Sequence, residues 1–119
     1  MAELTCLGLF RTVQAYPLVI AGQWFSPVMM PEPGVGHQVI GELYEVDDET
    51  LARLDVIESV HLPTGYHRDS IEVVSLDDGS TLNAWVYFKS RARVELVRSD
   101  YLTEYSDNRY VHKSQRPAD

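Results

Sequence analysis

Between Thr81 and Lys89 the chain alternates with a period of two. Leu82, Ala84, Val86 and Phe88 fall on one side, and Thr81, Asn83, Trp85 and Tyr87 on the other, as side chains do along a strand. Arg68 to Leu76 is a second strand run, and Asp77-Asp78-Gly79 joins the two with turn chemistry that predicts a hairpin. Upstream, Phe10 to Ala15 reads as a strand. Tyr16 to Gly22 is a short apolar strand with Pro17 near its start, and Trp24 to Met30 is an edge or irregular strand because it contains Pro27. Pro31-Glu32-Pro33-Gly34 is a turn. Val35 to Val46 is the longest strand candidate. Ile40, Glu42, Tyr44 and Val46 face one way, and Val39, Gly41 and Leu43 the other. Apolar residues on both sides predict a strand covered on both faces, with Gly41 marking a bulge or a close backbone approach.

The pattern changes period between Asp47 and Glu58. Asp47 and Asp48 precede the first apolar residue as an N-cap should, and Asp48 and Glu49 place negative charge at the positive end of the helix dipole. At about 100° per residue, Leu51, Leu54 and Glu58 share one face. Glu58 thus lies along the buried stripe and near the negative end of the dipole, and both features favour the neutral form of a carboxyl group. A carboxyl group so placed suits proton transfer near neutral pH. The plainer alternative is an exposed Glu at the end of an ordinary helix. Ser59 to Gly65 follows as a loop. Arg91 to Leu102 is a candidate short helix, and Thr103 to Asp119 is polar and expected to lie over the surface.

A length of 119 residues fits one domain, 1–119, and 45% hydrophobic content is that of a globular chain. Strands with one good helix predict an α+β domain with a mixed, barrel-like sheet. The net charge of −8 argues against nucleic acid and anionic membranes as partners. Cys6 is the one cysteine, and His37, His61, His67 and His112 have no metal-ligand spacing, so no metal site is expected. No apolar run approaches the roughly 20 residues of a spanning helix. No secretory signal is visible, and the expected location is the cytoplasm.

The order of these pieces resembles the γ-glutamylcyclotransferase-like family, in particular its γ-glutamylamine cyclotransferase branch. The stretches that carry the resemblance are Tyr16-Pro17-Leu18-Val19-Ile20-Ala21-Gly22, Val39 to Asp47, Leu51 to Glu58, and Gly65-Tyr66-His67-Arg68, with Ala84-Trp85-Val86-Tyr87 after them. The glutamate closing the Leu-Asp-x-x-Glu segment is the family's acid/base, which implies that role for Glu58. The family also opens with a strand ending in Tyr-Gly-Ser/Thr-Leu, whose backbone holds the substrate carboxylate. No such motif occurs here, and aligning Leu7-Gly8 just before the second family strand implies an N-terminally shortened domain.

The resemblance implies a small-molecule γ-glutamyl substrate, whose α-amine attacks its own γ-carbonyl to give 5-oxoproline and a free amine. No metal or organic cofactor is implied. Tyr44, Tyr66 and Tyr87 are candidate pocket residues, against the alternative of core aromatics with a hydroxyl at the surface. Arg68 is a substrate contact or, more in keeping with arginines beside acidic helices, a structural ion pair. The rival to an enzyme is a non-catalytic module of the same fold that binds a small ligand or a protein. A sheet short of its first strand would expose an edge along Tyr16 to Ala21 and Val39 to Val46, which predicts a homodimer covering that side.

Overall fold

A computed structural model of the chain describes residues 5–63 and 65–105. Its elements are β1 (Thr5–Tyr16), β2 (Leu18–Ala21), β3 (Ser26–Met29), β4 (His37–Glu45), α1 (Asp48–Ile57), β5 (His67–Ser75) and β6 (Thr81–Phe88), followed by a 3-10 turn at Arg91–Arg93. The six strands form one sheet in the order β2-β3-β6-β5-β1-β4. Pairing is antiparallel except between β3 and β6, which meet in parallel at Met29 and Phe88. The α+β class with a mixed sheet is as expected.

The β5–β6 hairpin follows from its turn. The Gly79 N–H donates to Ser75 O at 3.0 Å, and the Asp78 carboxylate accepts from Ser80 N and Ser80 Oγ at 2.9 and 2.7 Å. With register set there, Ile71 stands opposite Ala84 and Val73 opposite Leu82. The inward side chains join Phe10, Tyr16, Leu18, Met29 and Phe88 in the main core. Phe88 is 2% exposed and its ring lies 5.4 Å from that of Tyr16. The β2–β3 ribbon is apolar on both sides because both are covered. Leu18 and Met29 enter the main core, whereas Val19, Ala21, Val28 and Met30 form a second cluster beneath Tyr66 and Val94.

Four expectations are corrected. The first strand is longer than Phe10 to Ala15: β1 begins at Thr5 and is continuous because it has β4 on one side and β5 on the other. Pro27 does not exclude β3 from the interior of the sheet, since a single parallel pair ties β3 to β6 and leaves Pro27 beyond that ladder. Strand β4 is not covered on both faces. It is an end strand, no residue of it is fully buried, and Gly41 meets nothing within 4 Å. The bulges lie on β1 instead, between Cys6 and Gly8 and between Arg11 and Ala15. Finally, Arg91 to Leu102 is not a helix. After the 3-10 turn, whose Ser90 cap contributes no side-chain hydrogen bond, the backbone is taken up by β2. Arg98 N donates to Ile20 O at 2.7 Å and Leu102 N to Leu18 O at 2.8 Å.

That segment changes the edges of the sheet. The strands expected to be open, β2 and β4, are indeed its two ends. Residues 97–104 meet both, through a bridge between Ala21 and Val97 and a parallel bridge between Ile40 and Glu104. Ile40 N donates to Thr103 O at 2.8 Å. The sheet is therefore not closed strand to strand, as a barrel would be, but is strapped across its opening. The polar stretch from Thr103 behaves as a surface strap as far as Tyr105, and the rest of it lies outside the described residues.

Truncating Phe88 would remove the ring that joins β6 to β1 and β3. Phe88→Ala is expected to lower stability by about 3–5 kcal/mol, read from urea unfolding. A loss under about 1 kcal/mol would mean that the core does not depend on this ring.

Candidate active site

Helix α1 starts where its cap puts it. Asp47 Oδ1 accepts from Thr50 N at 2.7 Å, and the Thr50 hydroxyl, followed by this backbone bond, holds the Asp47 carboxyl below the usual carboxylate range. Through Asp55 the helix meets the face of β5 and β6 that carries Arg68, Trp85 and Tyr87. Its hold on that face is polar. Tyr87 Oη donates to Asp55 Oδ1 at 2.7 Å, and Arg68 Nε lies 3.0 Å from the same oxygen. Arg68 is also stacked over the Trp85 ring at 4.3 Å. Burial, followed by the hydrogen bond to Asp55, raises the Tyr87 phenol well above its ordinary range, with the negative charge of Glu58 adding to the shift. The phenol therefore remains a donor through neutral and mildly basic pH. The stability it contributes is complete below the ordinary phenol value and is lost as pH rises through the raised one.

One turn beyond Asp55, Glu58 ends the helix as its C-cap, with its N–H donating to Leu54 O at 2.9 Å. The half-buried residues of this stretch are Leu51, Leu54, Asp55 and Glu58, whereas Val56 and Ile57 are exposed. Glu58 thus lies on the covered stripe, as its spacing implies. Its carbonyl accepts from Tyr66 N at 3.0 Å, which ties the start of β5 to the end of α1. The loop between them closes tightly. A Cβ on Gly65 would stand 2.1 Å from Ser59 O, so no side chain fits there.

Glu58 opens onto a cleft of about 520 Å³ between α1, the β2–β3 ribbon and the segment after β6. Tyr66 and Tyr87 line it with Glu58. Trp24 stands at the β2–β3 turn, and Lys89, Arg93 and Glu95 contribute the charged rim. The non-glycine residues with left-handed backbone among those described are Phe25, Ser59 and Leu96. Ser59 lines the cleft, and the other two adjoin lining residues. Strained backbone of this kind costs of order 1–3 kcal/mol per residue and gathers at functional sites.

Of the residues singled out from sequence, Glu58, Tyr66 and Tyr87 come together. Arg68 does not line the cleft. It is the structural ion pair of α1, acting through Asp55. Tyr44 is also absent from the cleft. It lies exposed on β4 opposite Cys6, where neighbouring Glu42 and then Cys6 raise its phenol. Strand alternation placed Tyr44 correctly on a face but said nothing of which strand would border Glu58. Asp55, Lys89 and Arg93 were missed. Asp55 had a signal, being three residues before Glu58 and so on the same helix face. Arg93 was hidden by reading its segment as helix. Among the described residues, no group of three or more His, Cys, Asp or Glu is placed to hold a metal ion, and no helix is long and apolar enough to cross a membrane.

The sequence profile of the family described as gamma-glutamyl cyclotransferase, AIG2-like, matches residues 2–110. The chain belongs to that family. Gamma-glutamylaminecyclotransferase of Bos taurus is 39% identical over 98 residues, which are 82% of this chain and 57% of that protein. The protein of the same name from Mus musculus is 40% identical over 109 residues, covering 83% of this chain and 72% of its own. The crystal structure of an AIG2-like protein from Mus musculus matches with a TM-score of 0.73 at 32% identity, over 88% of this chain and 71% of that one. The chain thus spans little more than half the length of the bovine relative.

The anchor of α1 is testable apart from any activity. Asp55→Ala leaves the half-buried Arg68 and the Tyr87 hydroxyl without their shared acceptor. It is expected to cost about 1–3 kcal/mol in chemical denaturation, with faster amide exchange along 48–58 than in β5. Unchanged exchange in the helix would show that apolar contacts suffice to hold it.

Proposed function

We propose that the chain is a γ-glutamyl(amine) cyclotransferase with Glu58 as its general acid/base. The observation that carries this reading is the position of Glu58, half-buried at the end of α1 and facing a cleft lined by Tyr66 and Tyr87. Family membership and the names of the bovine and mouse relatives support the substrate class. The α-amine of a γ-glutamyl group attacks the γ-carbonyl of the same group. Because the nucleophile is tethered, holding the substrate folded supplies much of the rate. Glu58 removes a proton from the attacking amine as the new C–N bond forms. It returns that proton to the leaving nitrogen as the old C–N bond breaks. The products are 5-oxoproline and an amine, with no change of redox state. The Tyr87 hydroxyl, committed to Asp55, shapes the cleft without exchanging a proton.

The rival reading is a non-catalytic ligand-binding module of the same fold. Glu58→Gln separates the two. For the enzyme, release of 5-oxoproline from γ-glutamyl amines is expected to fall about a hundredfold or more with an unchanged melting temperature. Equal turnover in the two proteins removes Glu58 from the chemistry, and wild-type inactivity across γ-glutamyl amines and peptides favours the module.

We propose that the chain forms a homodimer. The strap already meets both sheet edges, so what remains is the apolar outer face where Leu7, Leu9 and Leu76 are exposed. Sedimentation equilibrium over micromolar concentrations is expected to show a dimer that Leu9→Lys dissociates. A monomer throughout would end that reading.

A further inference from the structure

Cyclisation needs more than a base. A γ-glutamyl group is flexible, and its amine meets its own γ-carbonyl only when the group is folded back on itself. A cleft that accepted the extended form equally well would bind substrate without turning it over. Some surface of the cleft must therefore be held firmly enough to select the folded form. We propose that Trp24 is that surface and that Arg98 and Tyr105 are the positioning residues that hold it; this assignment rests on the cyclotransferase reading.

Trp24 lies in the turn between β2 and β3, is half-buried, and lines the same cleft as Glu58. The turn's own bond, from Phe25 N to Gly22 O, is long at 3.4 Å. Its firmer contacts come from the segment after β6. Gly22 N donates to Glu95 O and Leu96 O at 3.2 and 3.1 Å. Gly22 O accepts from Arg98 Nε at 2.7 Å, and the same guanidinium lies 4.7 Å from the centre of the Phe25 ring. Phe25 O accepts from Tyr105 Oη at 2.7 Å. The residues that bracket the turn are thus gripped by side chains 76 and 80 positions further along the chain. The backbone registers that grip. Phe25, next to Trp24, has a φ of 54°, and Leu96, which accepts from Gly22, has one of 53°. Non-glycine residues stay in this region when their surroundings over-determine them. Neither Arg98 nor Tyr105 lines the cleft, so each acts on a ligand only through the turn. An indole suits the task, since it offers a large rigid surface with two side-chain torsions to fix.

The test reads the surface and the chemistry separately. The chain has two tryptophans, Trp24 and Trp85, so fluorotryptophan labelling gives two fluorine NMR signals, assigned with Trp85→Phe. Arg98→Met keeps an apolar stem and removes the donor. Tyr105→Phe keeps the ring against the core and removes only the hydroxyl, so it serves if Arg98→Met does not fold. Both variants are expected to move or broaden the Trp24 signal and to leave that of Trp85 in place, which also reports that the protein is folded. Adding 5-oxoproline should shift the Trp24 signal in wild type and much less in the variants. On a γ-glutamyl amine, kcat is expected to fall about 10- to 100-fold with KM changed less than about threefold, because substrate still binds but folds less often. Trp24→Ala should lose as much. A Trp24 signal unmoved in both variants overturns the grip, and full turnover in Trp24→Ala overturns the role of the indole. Either result, with an active wild type, leaves the cyclotransferase reading standing. A wild type inactive on γ-glutamyl amines whose Trp24 signal still answers 5-oxoproline, and does so only with Arg98 and Tyr105 intact, removes the enzyme and keeps Trp24 as a held binding surface.

Discussion

A helix that fully buries one residue, Thr50, has little apolar hold on the sheet beneath it. Its side-chain anchor to β5 and β6 is a carboxylate oxygen of Asp55, shared between Tyr87 and Arg68, beside the backbone bond from Tyr66 to Glu58. Each partner is itself restrained, Tyr87 by the β5–β6 register and Arg68 by Trp85. Because Glu58 is one turn further on, the same oxygen sets where the proposed acid/base stands relative to the cleft. Polar anchoring of this kind is directional in a way that burial of leucines is not. It places the end of the helix rather than merely its axis.

The cleft has the opposite character on its other wall. There the β2–β3 ribbon, buried on both faces, supplies Ala21 and Val28 from an apolar cluster. Glu58, at the end of a polar helix, thus shares the cleft with an apolar floor, while Lys89 and Arg93 bring positive charge to the rim beside Glu95. Left-handed backbone at Ser59 and next to the cleft at Phe25 and Leu96 indicates that the walls are held by their surroundings against local preference.

Local pattern revealed much of this. The capped helix, the Glu58 stripe and the β5–β6 hairpin all come from interactions spanning a few residues, which a single sequence displays. The pairing of strands does not. Tyr44 has the same alternation as Tyr87, and nothing in either run says that β6 faces α1 while β4 ends the sheet. The segment after Arg91 was misread because its helical look is local, whereas its hydrogen bonds go to β2, some eighty residues earlier, as between Ile20 N and Ser99 Oγ. Lys89 was overlooked because a lysine closing a strand is ordinary until Tyr66 is seen beneath it.

The strap formed by residues 97–104 has a consequence for synthesis of the chain. Strands β2 and β4 are made early, but the groups that cover their edges emerge some sixty to eighty residues later. Until then two rows of backbone donors and acceptors stand open to any neighbouring strand. Closure must wait for a contact of very long sequence separation, the slowest kind to form. The ribosome-bound protein therefore passes through an interval in which its sheet is largely assembled and unprotected. Proline at Leu102, which removes the N–H that meets Leu18 O, would lengthen that interval.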